Sequence, residues 1–365
     1  MKDLKPIIAQ HSFLRGMKPE HLEILARHAR EVQFDAGQVI FRQNEAAYEF
    51  FLIMAGQVTV ESYVPRADNV SLQVIGSGDV LGWSWLFPPF TWHFQARALE
   101  RTRAVVIDGA RLLVACENNA DLGYELMQRI AQLVITRLQA TRKGFPDNFT
   151  RDALLNPVDE TCFCERQPAP IPEDLQTALE THPFFRGCKT EYLQILRKAA
   201  MKTEFHAGQS IFREGEVANR FYLIQQGKVL LESPKTDVNS VPIQIIGDGD
   251  VLGWSWLFPP FYWHFDARAL VPTKCIFLYG TRLREECAAN HQFGYDLMKR
   301  VCQVLIKRLQ VTRKQFLRFR ELGASKQSEG IESGANKKET WLNLQIAPWP
   351  ANGEKPLSNG TTVPL

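Results

Sequence analysis

No stretch of this 365-residue sequence stays apolar for the ~18 residues that a membrane span requires, and the opening MKDLKPIIAQHSF lacks the apolar run of a secretion signal. Both absences predict a cytoplasmic chain with no membrane association. An excess of charge is lacking too: 43 Lys and Arg stand against 40 Asp and Glu, a net +3. That is too little to single out nucleic acid or an anionic membrane as a partner. Seven cysteines, an odd count without a repeat-wide spacing, exclude a secreted disulfide framework. There is no Gly-rich phosphate loop and no dinucleotide fingerprint. No nucleophile, base and orienting residue recur together, so no catalytic residue is assigned and a non-enzyme is predicted. What is present is 45% hydrophobic and 23% charged. Such a composition belongs to globular domains, and the length accommodates two of ordinary size.

The stretch GDVLGWSWLFPPF occurs twice, at Gly78–Phe90 and Gly249–Phe261, identical at all 13 positions and 171 residues apart. Continued to residues 99 and 270, the match covers 22 positions, with only Thr91/Tyr262 and Gln95/Asp266 differing. The same offset holds without a gap from His11/His182 to Phe145/Phe316, so the chain is a tandem duplication. Within each copy the periodicity changes twice. Residues 11–30 place Leu22, Leu25 and Ala26 at helical spacing after a turn at Gly16. From Val32 to Leu99, short β-rich runs (VQF, VIF, FFLIM, VTVE, SLQVI) are separated by Gly37, Gly56, Gly76 and Gly78, which predicts a small barrel or sandwich. Arg103–Ile107 supplies a further strand. From about Ala110 the spacing is helical again, and Leu126, Ile130, Leu133, Val134 and Leu138 give one long helix a broad apolar face, as Leu297, Val301, Val304, Leu305 and Leu309 do in the second copy.

A helix, a glycine-punctuated barrel and a long closing helix resemble the cyclic-nucleotide-binding domain of the catabolite activator and protein kinase A regulatory-subunit superfamily. The residues that carry the resemblance are Phe51-Leu52-Ile53-Met54-Ala55-Gly56 and Tyr222-Leu223-Ile224-Gln225-Gln226-Gly227 for the strand and turn. Gly78-Asp79-Val80-Leu81-Gly82 and its copy at Gly249–Gly253 match the phosphate-binding cassette, and Arg137-Leu138-Gln139-Ala140-Thr141 with Arg308-Leu309-Gln310-Val311-Thr312 match the activator's closing helix. The implied fold is mainly β with helices: two tandem β-roll, jelly-roll-like domains, each with a long closing helix.

The chemistry of the cassette departs from that family. A cyclic nucleotide needs a carboxylate for the ribose hydroxyl and a guanidinium for the cyclic phosphate. The positions at which the family carries them are Trp83 and Trp92 in the first copy and Trp254 and Trp263 in the second. Arg97 and Arg268 match a later strand arginine of the family that does not touch phosphate. Charge-assisted bonds are worth about 1.5 to 3 kcal/mol each, so the departure predicts that cyclic AMP is not bound.

Two readings of the replaced pocket stand side by side. In one, Trp83, Trp85 and Trp92 with Phe87, Phe90 and Phe94 fill the former site as a solid aromatic core. In the other they stack on a different planar ligand, such as an adenine nucleotide. Thr141 and Thr312 favour that second reading, because the matching threonine of the activator contacts adenine; a threonine tolerated on a helix turn is the alternative. His93 and His264, each in a Trp-His-Phe triplet read as strand, face away from the neighbouring tryptophan by alternation. Neither has a second ligand at fixed spacing, so no metal is assigned. The cofactor stays unknown.

The Pro-rich stretch at 146–173 reads as a semi-extended linker between domains at 1–145 and 174–319, and carries Cys162 and Cys164 as free thiols. Residues 320–365 are polar and glycine-rich and read as a disordered tail, apart from the apolar patch Trp341–Trp349. The resemblance implies a helix-turn-helix in DNA-binding members, and 49 residues after Phe316 do not suggest one, so no direct DNA binding is expected. Relatives dimerise through the closing helix, which implies an intrachain pseudo-dimer here. The expected role is regulatory or accessory, through a protein partner or a non-standard ligand. One alternative is an accessory subunit of an NAD(P)-linked hydrogenase or diaphorase, the WSWLFPP and WHF wording being similar to small subunits of such redox complexes. A cyclic-nucleotide-responsive sensor is the other alternative.

Overall fold

The computed structural model describes residues 3–62, 69–143, 172–234 and 240–328. The linker cysteines Cys162 and Cys164 and the Trp341–Trp349 patch lie outside these residues. The first copy contains α1 (Lys5–Ala9), α2 (Pro19–Arg27), β1 (Ala29–Phe34), β2 (Val39–Phe41), β3 (Glu49–Ala55), β4 (Val58–Ser62), β5 (Val70–Ile75), β6 (Val80–Leu81), β7 (Gln95–Ala98), β8 (Thr102–Asp108), α3 (Gly109–Asn118) and α4 (Ala120–Lys143). The second copy repeats this order as α5 (Leu175–Thr181), α6 (Thr190–Lys198), β9 (Ala200–Phe205), β10 (Ser210–Phe212), β11 (Arg220–Gln226), β12 (Val229–Pro234), β13 (Ser240–Ile246), β14 (Val251–Leu252), β15 (Asp266–Ala269), β16 (Thr273–Tyr279), α7 (Gly280–Ala289) and α8 (His291–Ser328).

Each copy builds two four-stranded antiparallel sheets, ordered β1-β8-β3-β6 and β2-β7-β4-β5 in the first and β9-β16-β11-β14 and β10-β15-β12-β13 in the second. The mainly β fold with helices is therefore as expected. The strands form where β-branched and aromatic residues run between glycine turns, and the register slips at the same place in both copies, between Ile53 and Ala55 and between Ile224 and Gln226. Alternation sets the core face: Ala96 and Ala98 are buried while Gln95 and Arg97 are half-buried beside Glu61, which accepts from both side chains at 2.6 and 3.0 Å. Arg268 binds Glu232 in the same way at 3.0 Å. The two strand arginines are thus engaged by strand glutamates.

By contacts the chain divides into two compact units, one holding the described residues up to Leu122 and the other those from Gly123 on. Most of α4 therefore belongs with the second copy, where it packs on α8. The Cys302 thiol donates to the Met127 carbonyl at 3.3 Å, and the Tyr124 ring lies 5.1 Å from that of His291. Gly294 permits this approach, since a Cβ there would stand 2.9 Å from the Tyr124 ring. The partners advance together along both helices, from 124 with 291 to 127 with 302, so the helices run parallel. Leu126, Ile130, Ala131, Val134, Leu138, Val301, Leu305 and Leu309 are all buried.

Helix α8 also corrects one boundary. It continues to Ser328, through the first residues of the tail expected from 320 onward. Arg318-Phe319-Arg320-Glu321-Leu322 are adequate helix formers, and the single Gly323 costs only about 1 kcal/mol in a helix interior.

Candidate functional site

The repeated stretch folds into β6 or β14, a tight glycine turn, a short 3-10 turn (Ser84–Leu86, Ser255–Leu257), a loop containing a cis Pro-Pro peptide and the entry to β7 or β15. Gly82 and Gly253 make the turn with φ of 82° and 84°. A Cβ at Gly82 would also meet the Glu49 carbonyl and the Trp92 ring at 2.9 Å, and one at Gly253 would meet the Arg220 carbonyl and the Trp263 ring at 3.0 Å. Glycine is required twice over, by its left-handed backbone and by the indole that lies against it.

The indoles that sequence singled out are buried: Trp83, Trp92, Trp254 and Trp263 are all less than one-tenth exposed. Trp92 lies flat on Phe41 with centroids 3.9 Å apart and planes 14° from parallel. Trp263 does the same on Phe212, at 4.1 Å and 16°. Trp254 meets the ring of Phe265 edge-on at 5.8 Å. Trp85 and Trp256 pack against Phe50 and Phe221 at 6.0 and 6.1 Å.

The Trp-His-Phe triplet is not a strand. Thr91 and Tyr262 make only isolated bridges, to Ala46 and Val217, and the residues that follow bend before β7 and β15 begin. These bridges are made in part by the Trp92 and Trp263 N–H groups, which donate to the Glu45 and Glu216 carbonyls of a crossing loop at 2.8 Å each. The alternation in burial survives this correction: His93 and His264 are half-buried between buried neighbours. Each histidine places Nδ1 near a hydroxyl of the 3-10 turn, His93 at 3.3 Å from Ser84 Oγ and His264 at 2.8 Å from Ser255 Oγ. Among the described residues no three His, Cys, Asp or Glu side chains gather as a metal site.

Thr141 and Thr312 turn their hydroxyls back along their own helices, donating to the Arg137 and Arg308 carbonyls at 2.9 and 2.8 Å. Within the second copy the residue that does enter the cassette is Arg308, one turn earlier on α8. Its guanidinium lies over the Trp254 ring, 4.5 Å from the centroid, and its Nη2 donates to the Val251 carbonyl of β14. The residue is 3% exposed, and among the described residues its Nη1 has no hydrogen-bond partner. Burial pushes its pKa down to about 10, against the opposing pull of the Asp250 carboxylate. Arg308 is missed by motif spacing, although helical periodicity marks it. It falls seven residues after Val301 and four before Thr312, on the buried face of α8.

Residues 31–119 and 202–290 each match the cyclic nucleotide-binding domain family. The CRP-like cAMP-activated global transcriptional regulator of Mycobacterium tuberculosis (strain H37Rv) is 26% identical over 129 residues, 35% of this chain and 56% of that protein. The chain thus spans about half the length of the curated relatives it matches. A solved cyclic nucleotide-binding protein from Geobacter metallireducens GS-15 is 31% identical, covering 37% of this chain and 97% of that one with a TM-score of 0.34. The regulatory domain of Toxoplasma gondii PKA, solved with cAMP, is 12% identical and covers 84% of this chain and 94% of that one with a TM-score of 0.28. With the family matched once in each copy, at equivalent positions, the chain belongs to the cyclic nucleotide-binding domain family and carries two such domains in tandem.

Proposed function

We propose that this protein is a non-enzymatic regulatory or accessory protein whose two cassettes are filled by its own side chains, and which acts through a protein partner without a cyclic nucleotide as its signal. The observation that carries this is the engagement of the indoles in the second copy. One face of Trp263 is covered by Phe212 and one face of Trp254 by Arg308, while the edge of Phe265 closes on Trp254. A planar ligand stacked between these indoles would have to displace three side chains from a packed core. Tryptophan at the positions where the family places its phosphate and ribose ligands supports the same reading. The family matched is a ligand-binding one, so nothing in the resemblance asks for catalysis.

The parallel packing of α4 on α8 supports an intrachain pseudo-dimer, with domains at 1–145 and 174–319 joined by the stretch 146–173. Among the described residues no helix is long and apolar enough to cross a membrane.

The test is calorimetric titration of the full chain with cyclic AMP and cyclic GMP, paired with a fluorescence screen of adenine nucleotides and NAD(P)H. The expected outcome is no saturable heat and no saturable tryptophan quenching. Micromolar binding of any of these, weakened by Thr312→Val, would restore the planar-ligand reading.

A further inference from the structure

We propose that Arg308 fastens α8 to the cassette of the second domain from within the chain, so that the closing helix is docked without any soluble ligand. The proposal rests on the reading that the cassette is filled from inside, and adds what holds the helix there.

Two contacts of one side chain make the fastening. Nη2 bonds the Val251 carbonyl at the start of the cassette, and the flat of the guanidinium covers the Trp254 ring. The carbon stem meanwhile starts from the apolar stripe of α8, between the buried Leu305 and Leu309 and the buried Thr312. A leucine or methionine would satisfy that stripe at less cost, because a buried guanidinium must be compensated for its lost hydration. An arginine at this point makes sense only if its head is needed. A planar cation can stack on an indole and donate in its own plane to a carbonyl at the same time; a lysine ammonium has no flat face to stack and is more strongly hydrated. Helix and cassette are therefore joined by a group that is internal, charged and flat, and the join is present whenever the chain is folded.

This assignment has a chemical signature. Shortening Arg308 to alanine leaves a space shaped for a guanidinium ion, walled by the Trp254 ring and the Val251 carbonyl, and free guanidinium can re-enter it. The experiment is hydrogen exchange by mass spectrometry on the full chain, comparing wild type with Arg308→Ala, Arg308→Met and Arg308→Lys, with and without a low, non-denaturing concentration of guanidinium chloride and with sodium chloride as the salt control. Amides of α8 from Arg308 to Leu317 are read against those of β11 and β16 as an internal reference.

In the alanine variant, exchange along that part of α8 is expected to rise about tenfold or more, the loss of a charge-assisted bond, with the reference strands unchanged. Guanidinium is expected to restore most of that protection in Arg308→Ala and none in Arg308→Met, whose side chain fills the space. The lysine variant should exchange fast. Unchanged α8 exchange in the alanine variant would overturn the proposal, as would full protection in the methionine or lysine variant, no response to guanidinium, or a loss spread equally over β11 and β16. If the alanine variant does not fold, the methionine variant decides: a folded protein with fast α8 exchange supports the fastening, and wild-type exchange refutes it. Saturable nucleotide binding by the wild type would instead defeat the proposed function while leaving these exchange rates to be judged separately.

Discussion

The indole of Trp263 lies flat on the ring of Phe212, 4.1 Å away and 16° from parallel, and the pair is repeated by Trp92 on Phe41 at 3.9 Å and 14°. Two copies that differ at many other positions keep the same stacked pair, between a residue of the cassette and a residue of the short strand β2 or β10. The stack ties the loop after the cassette to the sheet behind it, so removing either ring leaves a cavity. Trp263→Ala is expected to cost about 3 to 5 kcal/mol of unfolding free energy, as for other large buried aromatics. Urea unfolding measures it, and a loss under about 1 kcal/mol would mean that the indole is not core.

The glycine turn before the indole gives a sharper expectation. Gly253→Ala places a methyl group 3.0 Å from the Trp263 ring on a backbone with φ of 84°. Strain and overpacking together should cost about 2 to 5 kcal/mol. The double variant Gly253→Ala with Trp263→Leu should cost less than the sum of the two single changes, since the smaller side chain clears the clash. Additive losses would show that the backbone conformation and the Arg220 carbonyl, and not the indole, set the penalty.

Thr312→Val should behave in the opposite way. The hydroxyl is spent on the Arg308 carbonyl of its own helix, which also accepts within the helix, so an isosteric valine is expected to change stability by less than about 1 kcal/mol. Thermal unfolding of Thr312→Val and of Thr141→Val reads this directly. A large loss in either would give the hydroxyl a second partner.

His182 sets a pH dependence. Its Nδ1 accepts from the Phe184 N–H at 3.2 Å and its Nε2 lies 3.2 Å from the Ile224 carbonyl, which fixes the neutral ring with its proton on Nε2. Burial lowers its pKa from 6.5 to about 4, the contact with the Ile224 carbonyl opposing the shift. Between these values the unfolded chain binds the proton and the folded chain does not. This contribution is therefore whole above about pH 6.5 and is lost as pH falls toward 4, on the order of 3 kcal/mol in all. Urea unfolding from pH 7.5 down to 5 should show the decline, and His182→Asn, which keeps an acceptor for Phe184, should flatten it. An equal slope in the variant would place the dependence elsewhere.

Much of this fold is legible in the amino-acid order alone. Glycine turns between β-rich runs locate the strands, because a strand needs a run of residues that tolerate pleating and an end that does not, and both are local properties. The cassette indoles are legible for a different reason: a block identical in two diverged copies draws attention to itself. Arg308 is not legible in this way. Spacing puts the arginine of RLQVT on the buried stripe of its helix, but only the cassette strand 57 residues earlier, carrying Val251, gives its head a partner. That the strand pairing before His93 is only an isolated bridge at Thr91 is hidden for a related reason, since its partner Ala46 lies in a loop well upstream. In both cases the decisive contact is distant along the chain, where periodicity carries no information.

The parallel seam of α4 and α8 has a consequence for how such a protein can change over time. Two separate identical subunits meeting along a helix must present one surface that is complementary to itself, so every substitution falls on both sides at once. Here the two sides are encoded separately. Cys302 faces the Met127 carbonyl, whereas the position equivalent to Cys302 in the first copy is Ala131, and Tyr124 leans on Gly294 beside His291, whose own counterpart is Ala120. The seam is free to become asymmetric one residue at a time. It also stays closed at any dilution, because the two helices share one polypeptide and their encounter is never limited by the concentration of a second molecule.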